Sequence, residues 1–441
     1  MASRGSHLIS WKGPLPKAPT SFPRKLLPLK QAHLLLLLLK HHPRPFSALL
    51  QMSWYSWWTG RVGADANQFA DVENRQPKVA LVVGITGIVG TSLANLLLKP
   101  DAPGGPWKVY GVARRAQPKW FANTQIDYVQ CDVLDKTDTQ TKFAPLKDVT
   151  HLFWVVWVSR GSEEINCADN GKMFQNVLDV LLPNAQNLQH IVLQTGGKHY
   201  VGMSRSTWSS HGNEPPFKED MPRLPFPNFY YTLEDILFDT VKRKDVNLTW
   251  SIHRPNVIFG FSPCSLMNIL GSLAVYACIC KHEGLPFLFP GNSTYWEQFG
   301  DVSDADLVAE QELWAALDSS AKNQAFNISN GDVFNYKRVW SHLAEQFDID
   351  VPDYSGQPTS LSKAMEGKGP VWDAIVQKHG LVPTKFDEIA NWQYVDGLLN
   401  TNLLGISSMN KSKEFGFFGF RNTEASVGKW IGKMRQDRLI P

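Results

Sequence analysis

Aspartate and glutamate are absent from residues 1–51, which hold eight lysines and arginines (Arg4, Lys12, Lys17, Arg24, Lys25, Lys30, Lys40 and Arg44). The remainder of the 441-residue chain has 36 basic and 41 acidic residues, a net of −5, so the formal charge of +3 and the pI near 8.4 give no reason to expect nucleic-acid binding. Long apolar runs are also scarce. The leucine run Leu34–Leu39 holds six residues, where a membrane span needs about 20, so no membrane partner is expected. Cysteine is sparse. Cys131, Cys167, Cys264, Cys278 and Cys280 are odd in number and dispersed, which excludes a disulfide framework and fits a reducing compartment. Cys278 and Cys280 lie in an apolar run with no second pair, and His199, His253 and His282 lack ligand spacing, so no metal site is expected. What the chain does have is 16 Trp and 24 Phe with 19% charged residues, the composition of a folded, aromatic-rich enzyme.

Residues 1–51 are proline-rich and basic and read as an extension outside the fold. Two readings stay open: a plastid or mitochondrial transit peptide, or a start-site artefact with Met52 as the working first residue. The second is preferred, with a cytoplasmic location. Residues 52–77 read as a lead-in. From Lys78 strand-like and helix-like runs alternate. The strands expected are Val79–Val83, Trp107–Ala113, Ile126–Gln130, His151–Val158, His190–Gln194 and Leu248–His253; Thr91–Leu98 and Asn170–Leu182 read as helices. This predicts an α/β fold, a Rossmann-type doubly wound parallel sheet over 78–255. A mainly helical, substrate-binding part over 256–441 follows, with helices at Asp304–Leu317, Tyr336–Phe347 and Val371–His379.

The segment Val79-Ala-Leu-Val-Val83-Gly84-Ile-Thr-Gly87-Ile-Val-Gly90 couples a buried strand to a glycine-spaced turn and a helix start. Such a turn lets a pyrophosphate approach backbone amides and the helix N-terminus, so Gly84, Gly87 and Gly90 are expected at the bound cofactor. The second strand ends in Arg114-Arg115. A carboxylate there would accept from the 2′-hydroxyl of NAD, whereas an arginine pair suits the 2′-phosphate of NADP. Asp132, after the third strand, is placed to accept from the adenine amino group or to shape its own turn.

Hydride chemistry on such a fold needs a phenol near the substrate oxygen and a lysine near the nicotinamide ribose. The common Tyr-x-x-x-Lys pair is missing: four residues after Tyr230 and Tyr231 stand Glu234 and Asp235. A lysine is offered elsewhere, in Gln194-Thr-Gly-Gly-Lys198-His-Tyr200 after the fifth strand.

Taken together, Thr86-Gly-Ile-Val-Gly90, Pro103-Gly-Gly-Pro-Trp-Lys-Val-Tyr-Gly-Val-Ala-Arg-Arg115, Gln194–Tyr200, Pro227-Asn-Phe-Tyr-Tyr231, His253-Arg-Pro255 with Phe259-Gly-Phe-Ser-Pro263, and Met409-Asn-Lys-Ser-Lys413 resemble the plant progesterone 5β-reductase/iridoid synthase family, an atypical branch of the extended short-chain dehydrogenases. The resemblance runs from Met52 to Pro441. It implies catalytic roles for Lys198 and Tyr230. It also implies NADP(H) contacts at Thr86, Gly87, Ile88, Arg114, Arg115, Asp132, Val133, Val156, Gln194, Tyr230 and Val257, and over Cys264, Ser265 and Leu266. It implies NADPH-dependent 1,4-reduction of the C=C bond of α,β-unsaturated carbonyls, from 3-oxo-Δ4-steroids such as progesterone to small enones. Tyr230 would donate to the enolate oxygen, with the Lys198 cation favouring its ionisation and positioning phenol and ribose. The alternatives are iridoid synthase activity on 8-oxogeranial or a non-catalytic NADP(H)-binding regulator; retention of Lys198 and Tyr230 weighs against the latter. A sugar-nucleotide epimerase is disfavoured by the missing Tyr-x-x-x-Lys. The family also suggests a homodimer. Val156 stands where Thr is frequent in the family, Ser204 and Tyr394 stand where pocket phenylalanines are frequent, and Asn256 aligns with a pocket-lining position. Trp157, Phe261, Tyr276, Trp392 and the apolar run Leu266–Cys280 are further candidates to line a pocket for a small apolar enone, with plain core as the competing reading.

Overall fold

The computed structural model describes residues 77–121, 125–201, 212–243, 248–401 and 404–441. Expectations for residues 1–76, and for Ser204 in the segment 202–211, lie outside the described residues. The strands are β1 Lys78–Val83, β2 Trp107–Ala113, β3 Asp127–Gln130, β4 His151–Trp154, β5 His190–Gln194, β6 Thr249–Pro255, β7 Ile258–Phe259, β8 Ser303–Asp304 and β9 Gln324–Ile328. The helices used below are α1 Ile88–Leu97, α2 Lys136–Phe143, α3 Glu163–Asn184, α4 Lys198–Val201, α5 Phe229–Arg243, α6 Ile269–Glu283, α7 Ala305–Leu317, α8 Tyr336–Phe347, α9 Gly369–His379, α10 Trp392–Leu399 and α11 Thr423–Gln436. No described helix is long and apolar enough to cross a membrane.

Seven strands form one sheet in the order β3-β2-β1-β4-β5-β6-β9, every pair parallel. The order reverses between β1 and β4, the position at which such sheets open a crevice for ligands. β1 shows why the sheet is covered on both faces. Its apolar residues alternate, with Val79, Leu81 and Val83 packing among α3 and α5 side chains and Ala80 and Val82 among those of α1 and α7. A third core lies outside the sheet, where α6, α8, α9, α10 and α11 bury their apolar faces together.

Two departures from the expected elements have physical causes. The fourth strand ends at Trp154 rather than Val158. Asn170 on α3 captures Val158 with both ends of its amide, accepting from its N–H at 2.8 Å and donating to its C=O at 2.9 Å. Asn166 accepts from the Arg160 N–H at 2.7 Å. These side chains satisfy the backbone that a longer strand would have paired, and α3 starts at Glu163, seven residues before the expected Asn170. The second departure concerns the boundary at 255. β9, expected as part of a mainly helical region, pairs with β6 through Ser251↔Gln324 to Pro255↔Ile328, and α7 covers the sheet. The region 256–441 therefore completes the sheet as well as building the helical layer.

Candidate active site

The strand-to-helix turn after β1 has the geometry of an anion cradle. Gly84 sits at φ +101°, and a Cβ there would stand 2.9 Å from the Val155 carbonyl oxygen. Gly87 begins α1 with no side-chain cap, so the first-turn amides stay available. Thr86, Gly87 and Ile88 line a cavity of about 1170 Å³ that runs from this turn to the helical layer. Gly90 is a correction to the expected contact set. It does not line the cavity, and a Cβ there would come 2.1 Å from the Gly84 carbonyl oxygen, so its role is close packing of helix on turn.

Arg114 and Arg115 leave β2 exposed and line the same cavity, as do Asp132 and Val133. Arg115 Nη1 donates to the Cys264 carbonyl at 3.4 Å, linking this edge to the Cys264-Ser265-Leu266 loop on the opposite rim. Asp132 Oδ1 accepts from the Leu134 N–H at 3.1 Å, the turn-forming option left open above. Val156, Gln194 and Val257 lie between these rims on the wall. Gln194 Oε1 is buried with no hydrogen-bond partner among the described residues, an acceptor left for a bound group. The uncapped α1 terminus, the arginine pair and this acceptor fit a dinucleotide.

Lys198 and Tyr230 come from separate stretches and line the same wall. Lys198 opens α4 directly beyond β5. Its Nζ lies 2.6 Å from Glu163 Oε2 and 4.8 Å from the Phe229 ring centroid. Asn228 ties the two backbones: its Nδ2 donates to the Lys198 carbonyl at 3.2 Å, and its Oδ1 accepts from the Tyr230 N–H at 3.0 Å, capping α5. Tyr230 Oη stands 2.9 Å from where a Cβ on Gly196 would be, so the phenol reaches the loop that carries Lys198. Burial, then the electrostatic influence of Glu163 and Tyr394, push the Tyr230 phenol well above the ordinary tyrosine range. Lys198, for its part, is paired with Glu163.

The broken Tyr-x-x-x-Lys pattern has a structural explanation. Glu234, where the lysine would stand, is 2% exposed and receives Arg254 Nη2 at 3.1 Å and Arg223 Nη2 at 2.9 Å. Although burial opposes its charge, His199, Arg254 and Arg223 hold its carboxyl at about 2. Tyr231 is committed too, donating to the His199 carbonyl at 2.6 Å and accepting from the Leu224 N–H at 3.0 Å.

Trp157, Asn256 and Tyr394 also line the cavity. Asn256 Nδ2 donates to Asp301 and, at 3.1 Å, to Ser407 Oγ. Burial raises the Asp301 carboxyl to about 7. Phe261, Tyr276 and Trp392 are core residues rather than lining, and of Leu266–Cys280 the lining residues are Leu266 and Met267. Cys278 and Cys280 are buried free thiols. Sequence reasoning missed Glu163, Asn228 and Asp301. The helix-start signal Ser162-Glu163-Glu164, with Ser162 capping the Ile165 N–H, could have pointed to the first.

Against known proteins, the model of the PRISE-like Rossmann-fold domain matches residues 80–441. The chain belongs to this family. Among curated family relatives, it is 52% identical over 394 residues to an (S)-8-oxocitronellyl enol synthase of Camptotheca acuminata, covering 88% of this chain and 100% of the relative. It is likewise 52% identical over 393 residues to a 3-oxo-Δ4,5-steroid 5β-reductase of Arabidopsis thaliana, again 88% and 100%. Among solved structures, the UDP-glucose 4-epimerase of Thermus thermophilus in complex with NAD shares the fold with a TM-score of 0.54 at 14% identity, covering 81% of this chain and 99% of that one.

Proposed function

We propose that this family member reduces the C=C bond of α,β-unsaturated carbonyl compounds with NADPH. The observation that carries the reading is the convergence of Lys198 and Tyr230 on the wall of the cavity into which the glycine turn opens, while Tyr231 is bonded elsewhere. When bound, NADPH supplies a hydride to the substrate's β-carbon. Negative charge then develops on the substrate's carbonyl oxygen, and Tyr230 donates a hydrogen bond to it. Burial and Glu163 favour that donor state by keeping the phenol neutral. Lys198, anchored beside it, orients the ribose and the phenol; the α-carbon takes its proton from solvent. Arg114 and Arg115 recognise the 2′-phosphate, which is the ground for NADPH over NADH.

The test is an enone panel, 2-cyclohexen-1-one and progesterone included, assayed with NADPH and NADH and with products identified. A saturated ketone formed with NADPH is expected; an allylic alcohol opposes the reading. A second reading, reduction of 8-oxogeranial, is favoured by relatives named (S)-8-oxocitronellyl enol synthase in Camptotheca acuminata and Nepeta cataria. Including that dialdehyde in the panel, and comparing kcat/KM with progesterone, separates the two.

A further inference from the structure

Glu163 is a carboxylate that the expected chemistry does not use, yet it touches everything the chemistry needs. It is 3% exposed and opens α3, where the helix dipole favours a negative charge. One oxygen, Oε1, accepts from the Phe229 N–H at 2.9 Å, in the first turn of α5 and one residue before Tyr230. The other, Oε2, lies 2.6 Å from Lys198 Nζ and accepts from Asn166 Nδ2 at 3.1 Å. Asn166 in turn holds the Arg160 N–H, in the segment that leaves β4 to line the cavity. In this partner set Lys198 is the cation and the Phe229 N–H and Asn166 amide are neutral donors, so Lys198 supplies the counter-charge that a buried carboxylate needs.

We propose that Glu163 is the positioning residue of the site, a single carboxylate that anchors the Lys198 ammonium from one side and the first turn of α5, with Tyr230, from the other. The inference rests on the assignment of Lys198 and Tyr230 above. Charge is what makes the anchor. Lys198 is a flexible chain ending in a point charge, and without a counter-ion it has several rotamers open to it across a large cavity. Tyr230 meets titratable groups from two directions, Glu163 on α3 and Tyr394 on α10. Glu163 and Tyr394 both disfavour its ionisation, in addition to burial. Glu163 thus sets the place of the lysine and supports the protonation state of the phenol. Asn228 makes a parallel link through main-chain atoms, so the fold of α5 does not depend on Glu163 alone.

The experiment separates charge from shape. Glu163→Gln keeps the length and an acceptor for the Phe229 N–H but loses the charge; Glu163→Asp keeps the charge and loses a methylene. On the full chain, Lys198 acetylation by acetic anhydride is followed by peptide mass spectrometry without cofactor, and kcat is measured with NADPH and 2-cyclohexen-1-one. E163Q is expected to acetylate Lys198 faster than wild type and to lower kcat about 10- to 100-fold, the scale of a small misplacement. E163D is expected to restore slow acetylation and most of the kcat. A merely space-filling role predicts the reverse order, with E163Q the better variant. Equal acetylation in wild type and E163Q, or kcat of E163Q above that of E163D, overturns the proposal. If wild type turns over no enone, the enone reading falls while the acetylation arm still decides the anchor.

Discussion

Tyr230 and Tyr231 are neighbours in sequence with opposite roles, and the difference lies in what each hydroxyl touches. Tyr231 donates to one main-chain group, shielded from water, and accepts from another that is half-buried. Tyr230 has its ring half-buried against the core beneath the sheet and its oxygen at the Gly196 loop. The two phenylalanine variants should therefore separate chemistry from stability. Tyr230→Phe should lower kcat for enone reduction about 10²- to 10³-fold, the usual cost of one oxyanion donor, with little change in melting temperature. Tyr231→Phe leaves two main-chain groups without their partner and should cost about 1–3 kcal/mol of stability while hydride transfer survives. Thermal denaturation and single-turnover kinetics on both variants check this; a Tyr230→Phe enzyme at wild-type rate removes the donor role. At the other end of the cavity, Arg114→Ala and Arg115→Ala should each weaken NADPH binding and leave NADH binding unchanged. Charge-assisted hydrogen bonds of about 1.5–3 kcal/mol put the expected loss near 10- to 100-fold, readable by fluorescence titration. An equal loss for both cofactors would assign the pair to general electrostatics instead of the 2′-phosphate.

The turn between β1 and α1 depends on backbone approach. Gly90→Ala would push a methyl to 2.1 Å from the Gly84 carbonyl oxygen, where both sides are main chain and neither yields cheaply. Overpacking of this kind costs about 1–3 kcal/mol or more, and here it also tilts the α1 terminus away from the crevice. The variant should lose melting temperature and NADPH affinity together, and an intact affinity in a destabilised protein would show that the terminus does not hold the cofactor. This element was legible in the sequence because its signal is local: an apolar β-branched run, then glycines at fixed spacing. β2, β5 and α8 were legible for the same reason, and their expected bounds coincide with those observed. The end of β4 and the start of α3 were not, because Asn166 and Asn170, six and twelve residues downstream of their partners, take the main-chain bonds of Arg160 and Val158. β9 escaped notice because five residues ending in Asn-Ile carry little alternation, and its pairing with β6 is a long-range choice. The same distance in sequence hid Glu163 from Lys198. Spacing rules find partners on one helix face, not partners 35 residues apart (198 − 163) brought together by a sheet.

Over the whole molecule, buried titratable groups pull stability in opposite directions with pH. Three histidines cross the sheet on adjacent strands: His151 and His190 in direct register and His253 on β6. His190 and His253 share Ser251, with Thr249 and Gln311 as their further partners, while His151 pairs with Thr150. Burial lowers His151 to about 3, His253 to about 4 and His190 well below its ordinary value. Below the unfolded value of 6.5 the unfolded chain takes up protons that the folded one refuses, so this contribution is present above pH 6.5 and lost as pH falls. The buried acids act with the other sign. Asp301, raised to about 7, and Glu312, raised well above 4.5, stay protonated in the fold after the unfolded chain has released their protons. Each favours the unfolded state progressively as pH rises from its unfolded value towards its folded one. The opposed slopes partly cancel in the wild-type curve, so a difference measurement is needed to isolate one group. Glu312 is the best choice: it lies on α7 with 0% exposure, and neither carboxyl oxygen has a hydrogen-bond partner among the described residues. Glu312→Gln replaces a neutral acid by a neutral amide of the same shape. Near pH 4.5 wild type and variant should be equally stable, because in both the group is neutral in the fold. Above that the variant should gain on wild type by up to about 1.4 kcal/mol per pH unit, until the folded-state titration is reached. Urea midpoints at pH 4.5, 6 and 8 measure the gap. A gap that stays constant across that range would mean that Glu312 is ionised inside the fold, and would require a counter-charge beside α7.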